Sequence, residues 1–328
     1  MALHAFDDID DAVQATRSFL FPVDRGTWLR LALVVFFTGG VSANVPVGFD
    51  APPSGVGAPA PSEVIPPRGD EIVLALVALV VLAVAVALVF GFVGSVFEFV
   101  FVESLRSEEV HVRRYWRRHW RRGARLFGFR LVLGLVGLAL AGGLVALVAL
   151  PALTGSGALS IGLLLALLPV AFVLALAFGL VNGFTTGFVV PAMLVEDRTV
   201  LGGWRRIWPV VRAEWKEYAV YAVLSLLFRA ALAMLVGIVV GVGALLLAIP
   251  FVVLGVAVWA ALSFSTAGLV LLGALVVVYL VALAVVVLFV QIPVQTGLRY
   301  YALLLLGDTD PSIDPIPDQR AAVRDETV

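Results

Sequence analysis

Hydrophobic residues along this chain gather into long unbroken runs, separated by short islands that hold nearly all the charge. The runs lie at about 27–42, 72–102, 126–150, 159–195, 217–249 and 267–305. A hydrocarbon layer about 30 Å thick is crossed by roughly 20 helical residues, so the pattern predicts six transmembrane α-helices. The alternating ten-residue segments of a membrane β-barrel are absent. The first run is the weakest, because Arg30 sits near its start. Longer runs must tilt, kink or project beyond the bilayer. Pro169, Pro191 and Pro293 each lack a backbone donor and are the expected kink points. Pro250 is expected to end the fifth helix, which leaves 251–264 (FVVLGVAVWAALSF) as an interfacial or re-entrant piece.

The islands repeat one another. FPVDRGTW (21–28) and WPVVRAEW (208–215) carry an aromatic residue, Pro, Val, Arg and Trp at the same five places, each between a polar stretch and an apolar run. Ahead of the first, Phe6, Ile9, Val13, Thr16 and Leu20 recur at three- and four-residue steps; Val200, Trp204, Ile207 and Trp208 do likewise around the second. Such spacing draws a stripe on a helix, and Trp favours the membrane–water boundary. Residues 107–122 supply a third such segment, without the Pro. TGFVVPAML (186–194) matches TGLRYYALL (296–304) on two of the returning runs. The expected fold is therefore all-α: a polytopic membrane bundle of six transmembrane helices in three hairpins, each preceded by a cytoplasmic amphipathic helix. The repeats fall at 1–104, 105–197 and 198–307, with an acidic tail, 308–328, expected to be disordered. Glycines in the runs, among them Gly134, Gly137, Gly142, Gly143, Gly237, Gly241 and Gly243, are expected to let helices pack closely.

Composition agrees with the pattern. The chain is 62% hydrophobic and 14% charged, against roughly 45–50% and 25% for soluble domains. It has no cysteine, which removes disulfides, thiolate metal sites and cysteine nucleophiles. The net charge of −1 names no partner, but its distribution sets the orientation. Of 22 Lys and Arg, 20 lie in 1–30, 103–130, 196–218 and 299–328. Basic loops stay cytoplasmic, so both termini are expected inside a multi-pass protein of the plasma membrane. The loop 43–70, with seven prolines, is expected outside and extended.

The opening MALHAFDDIDDA, the segment LVEDRTVLGGWRRIWPVVRAEWKEY and the closing YYALLLLGDTDP resemble an uncharacterised multi-pass membrane family of halophilic archaea over nearly the whole chain. More remotely, the acid-terminated span followed by a Trp-bearing amphipathic helix is similar to the membrane domain of some bacterial glycerophosphodiester phosphodiesterases. That likeness implies a six-span bundle and no activity, since the soluble catalytic domain of those enzymes has no counterpart here.

Two groups of residues are candidate sites. In RRYWRRHWRRGAR, Arg113, Arg114, Arg117, Arg118, Arg121 and Arg122 form a broad basic face on a helix, with Trp116 and Trp120 beside it. Its expected partners are anionic lipid headgroups, with protein partners unspecified; nucleic acid is not expected. Within the spans, Arg229 is the costliest residue. Asn182, Thr186, Gln291 and Gln295 fall at similar depth, and Glu98 lies nearer the level of Arg299. Arg229 is expected to bond Asn182, Gln291 or Gln295. These groups could tie the bundle together or line a polar cavity. His4, His111 and His119 lack metal-ligand spacing, and no phosphate loop or catalytic constellation is present, so neither cofactor nor catalytic residue is expected. The expected function is a non-enzymatic membrane protein organising lipid or partners at the cytoplasmic face. A transporter with a polar cavity around Arg229 is the alternative.

Overall fold

A computed structural model describes residues 4–40, 69–154, 156–263 and 265–325, and every regular element among them is helical. Helix α1 (His4–Leu20) leads into α2 (Arg25–Val35), whose N-terminus is capped by Asp24 Oδ2 accepting from the Thr27 N–H at 2.8 Å. A π-helical turn, Phe36–Gly40, follows directly. Long helices α3 (Gly69–Ser107) and α4 (Val112–Leu153) come next. Then α5 (Gly157–Phe184), a second π-helical turn (Thr185–Val189) and α6 (Val190–Glu196) run on without interruption. Helix α7 (Val200–Ala213) precedes the longest pair, α8 (Trp215–Leu262) and α9 (Thr266–Thr309). A 3₁₀ turn and α10 (Pro317–Asp325) close the described chain.

Five helical stretches are long and apolar enough to cross a membrane, where six were expected. The missing one is the first: α2 has eleven residues and its π extension five, short of a full crossing before the described residues stop at Gly40. The expected outer loop 43–70 lies almost wholly outside the described residues. Segment 251–264 is not a re-entrant piece, for α8 continues through Pro250 to Leu262. In lipid no water can take up freed backbone groups, so a helix tolerates one missing donor better than it tolerates unravelling. Phe251 packs edge-on against Tyr279, and the Tyr279 hydroxyl donates to the Ala244 carbonyl at 3.3 Å, which zips α8 to α9. At 48 residues α8 is about 72 Å long by helical rise. That is more than twice the hydrocarbon thickness.

The two ends of the long helices differ in packing. At one end, α1, α2, α7 and α10 wrap the termini of α3, α4, α6, α8 and α9 into one close-packed base. Phe99, Phe101, Phe188, Tyr218, Tyr300 and Leu305 are fully buried there. Toward the other end, the most apolar stretches of α3, α4, α5 and α9 bury none of their residues, and that of α8 buries 6%. Lipid tails are as apolar as leucine, so these faces need no protein cover.

Several local expectations are corrected by this packing. Residues 112–122 form no separate interfacial helix; they are the first turns of α4. On α1 the buried face runs through Asp8, Ala12, Ala15 and Leu20, while Val13 of the expected stripe is 64% exposed. The tail is ordered from 311 to 325, because Ile313, Ile316 and Val323 bury their side chains in the base. Gly134, Gly142, Gly143, Gly237 and Gly241 face open space. The close approach falls elsewhere, at Gly123, where an added Cβ would come within 2.4 Å of Val96 on α3.

Candidate functional site

Where the base meets the exposed helices, a cavity of about 940 Å³ opens. Both π-helical turns border it: the first through Phe37, Thr38 and Gly39, the second through Thr186 and Gly187. A π turn widens the helix and misaligns its carbonyls, and such turns are frequent at functional sites. Here the second turn presents the Thr186 carbonyl to Arg299, whose Nη1 donates to it at 2.6 Å. Trp204 of α7 braces the same turn, its indole N–H donating to Thr185 Oγ1 at 3.2 Å.

The cavity floor is charged. Glu98 of α3, 3% exposed, pairs with Arg299 of α9 and with Arg130 of α4, whose Nη2 lies 3.1 Å from Glu98 Oε1. That same Nη2 donates to Thr186 Oγ1 at 2.8 Å. Arg130 Nε is buried and has no hydrogen-bond partner among the described residues. The Arg299 guanidinium also lies 5.6 Å from the centre of the Phe101 ring. One carboxylate thus faces two guanidiniums, and a third cation, Arg229, joins the lining. With Glu98 ionised, the formal charge around the cavity is positive.

Asn182, Thr186, Gln295, Glu98, Arg229 and Arg299 all reach this cavity, so the structure gathers six of the seven intramembrane candidates. Gln291 is buried outside its lining. Arg229 does not bond as expected: its side chain is exposed and makes no hydrogen bond to Asn182, Gln291 or Gln295. A long side chain on a cavity wall stays solvated or meets headgroups without inserting between amides. Arg130 was missed in the sequence. Its signal was available, since it is the last charge before 65 uncharged residues, Leu131 to Val195. Counted among the cytoplasmic basic residues, it looked like one more flanking charge.

The basic segment divides by face. Arg118 pairs with Glu103 at 3.4 Å and Arg122 with Asp197 at 2.8 Å, so both are engaged within the base. The hydrogen bond from Arg122 holds the Asp197 carboxyl below the usual range. Trp116 packs on Phe97, ring centres 5.5 Å apart, while Trp120 is 46% exposed beneath Arg121. Arg113, Arg114, Arg117 and Arg121 point outward and make no ion pair among the described residues.

At the underside of the base, the chain ends meet over a set of acids. Arg324 of α10 bonds Asp308 at 2.6 Å, Asp11 at 3.0 Å and Asp8 at 3.3 Å; Arg320 bonds Asp308 at 2.8 Å and Asp314 at 2.7 Å. Burial, and then the neighbouring Asp308 carboxylate, push Asp8 up to about 8. Asp8 Oδ2 is buried with no donor facing it among the described residues, the arrangement of a carboxyl that keeps its proton and shares it with Asp308.

No curated protein and no solved structure matches the chain. Residues 3–316 match the model of DUF7544, a family of unknown function, and the protein belongs to that family.

Proposed function

We propose that this is a non-enzymatic integral membrane protein of the plasma membrane that holds an anionic amphiphile, of the phospholipid class, in the cavity and so organises lipid at the cytoplasmic face. One observation carries the reading. The cationic floor of Arg130 and Arg299, with Arg229 beside it on the wall, is joined to an apolar lining that includes Val84, Leu88, Leu131, Leu135 and Leu138. A headgroup phosphate fits the first and an acyl chain the second. A transporter needs a polar path to the far side. The lining offers none beyond Arg229, which keeps transport as the alternative reading and Arg229 as its best support.

The orientation belongs to the same proposal. Helices α1 and α10 lie together in the base, while α3 enters it only at its C-terminal end. An even number of crossings accommodates this, with one made before α3, and supports six spans in three hairpins. The basic islands all cluster around the base, which supports a cytoplasmic orientation for it.

The test is lipid retention. Protein released into mild detergent and washed free of exchangeable surface lipid should carry about one anionic phospholipid per chain, held in the cavity, by native mass spectrometry. Arg229→Leu, outside the floor's hydrogen-bond network, should lower that retention at least fivefold and leave zwitterionic lipid unchanged. Equal loss of both lipid classes, or none, defeats the proposal; flux of a solute across proteoliposomes that Arg229→Leu abolishes would replace it with transport.

A further inference from the structure

A second concave site lies on the outside of the base, apart from the cavity, at the start of α4. A groove of about 710 Å³ is bounded by Arg30 and Leu33 of α2 and by His111, Arg113, Arg114 and Arg117. We infer that this groove binds the phosphate of an anionic lipid headgroup, and that this is what the outward half of the basic segment serves.

Charge pairing separates the two halves of that segment. Facing the protein, Arg118, Arg122 and, further along, Arg130 each meet a carboxylate. Facing the groove, Arg113, Arg114 and Arg117 meet none among the described residues. His111 has Glu109 at 3.9 Å, so the uncompensated charge is that of the arginines. Arg30 is held in place by donating from Nη1 to the Val110 carbonyl at 3.1 Å, which ties α2 to the loop before α4 and fixes one wall. Three unpaired guanidiniums converging on a hollow repel one another, and an anion between them relieves that repulsion while accepting their fork-shaped donors.

Backbone geometry adds to this independently. Helix α4 begins at Val112 with no acidic residue in its first turn. The positive end of its dipole therefore sits at the groove with no carboxylate in the helix's own first turn, the nearby Glu109 facing His111. The groove is also larger than a lone phosphate requires and falls in the size range of small-molecule sites. Leu33, 44% exposed on its edge, and Leu29, 63% exposed one turn earlier, continue it with apolar surface along α2. A phosphodiester on the arginines with an acyl chain along α2 uses both features; a soluble anion uses only the first.

The experiment titrates the full chain in detergent with short-chain phosphatidylglycerol, phosphatidylcholine of equal chain length, and inorganic phosphate. Native mass spectrometry reads the ligand bound beyond the lipid already retained in the cavity, with Arg229→Leu as the background that leaves the groove intact. The expected result is at least tenfold preference for phosphatidylglycerol over phosphatidylcholine. The variant Arg113→Gln/Arg114→Gln/Arg117→Gln should lose at least tenfold in phosphatidylglycerol affinity with unchanged circular dichroism. Arg121→Gln/Arg125→Gln/Arg205→Gln removes the same charge elsewhere and should change affinity less than threefold. Inorganic phosphate competing with the lipid at equal concentration would assign the phosphate site to a soluble ligand and overturn the lipid. Equal losses in the two triple variants, or none in the first, would overturn the site itself.

Discussion

Among the described residues Glu98 is the only carboxylate on the cavity floor, and it answers for two arginines on two other helices. Removing one member of a buried ion pair leaves an uncompensated charge and costs about 3–5 kcal/mol. Glu98→Gln should therefore lower the unfolding temperature in detergent clearly, while raising the retention of anionic lipid, because the floor becomes more cationic. A fall in both would mean that Glu98 shapes the cavity without tuning its charge. Gly123 makes a second residue-scale case. Its missing Cβ lets α4 approach α3, where an added methyl would meet the Val96 Cα at 2.7 Å, a backbone atom that cannot swing aside. Gly123→Ala should destabilise by about 1–3 kcal/mol through overpacking. Gly142→Ala, facing open space, should be neutral or stabilising by up to about 1 kcal/mol through helix propensity. Thermal unfolding of the two variants side by side checks the contrast.

At the scale of elements, α10 is a clasp whose grip depends on protons. Asp8 is held near pKa 8 in the folded protein against 3.8 in the free carboxyl, so the docked state binds the extra proton between those values. Stability contributed by this group is full below about pH 4 and declines as pH rises toward 8. The salt bridges of Arg320 and Arg324 to Asp11, Asp308 and Asp314 work the other way at the acid end, since they need ionised carboxylates. The clasp should be tightest near pH 4 to 5 and loosen progressively as pH rises to about 8, with no further loss from Asp8 above that. Amide exchange of residues 317–325, corrected for intrinsic rate, should accelerate several-fold from pH 6.5 to 9. Asp8→Asn should flatten that rise. A rate independent of pH in the wild-type chain would show that Asp8 ionises without strain.

Across the whole molecule, the division into a packed base and apolar helices unburied by protein fits a chain that uses two solvents. The absence of cysteine makes topology directly measurable. Single cysteines at Ser54 and Ser107 should react with impermeant maleimide from opposite sides of sealed vesicles, Ser107 on the side of both termini. Labelling of both from one side would break the even crossing count and with it the cytoplasmic placement of the base.

Much of the architecture was legible because membrane helices announce themselves locally: unbroken apolar runs marked α3, α4, α5–α6, α8 and α9, and the basic islands marked the ends that join the base. Pro250 misled because its effect depends on solvent; a proline that would break an exposed helix is tolerated where α9 and lipid leave the backbone no better partner. The tail misled because acidic, proline-containing sequence reads as solvated, whereas Ile313, Ile316 and Val323 find a surface that only the assembled ends of α1 and α9 create. Residue types and approximate depth picked out Glu98, Asn182, Thr186, Gln295 and Arg299, because a charge or amide among apolar residues must find a use. Which of them meet was decided by tertiary packing alone: Arg299 turns to Glu98 and to the Thr186 carbonyl freed by a π turn, Arg130 joins from a third helix, and Arg229 is left facing the cavity. Helical spacing fixes the face of a residue on its own helix, but the rotation and separation of neighbouring helices come from contacts such as Gly123 on Val96, which no single run encodes.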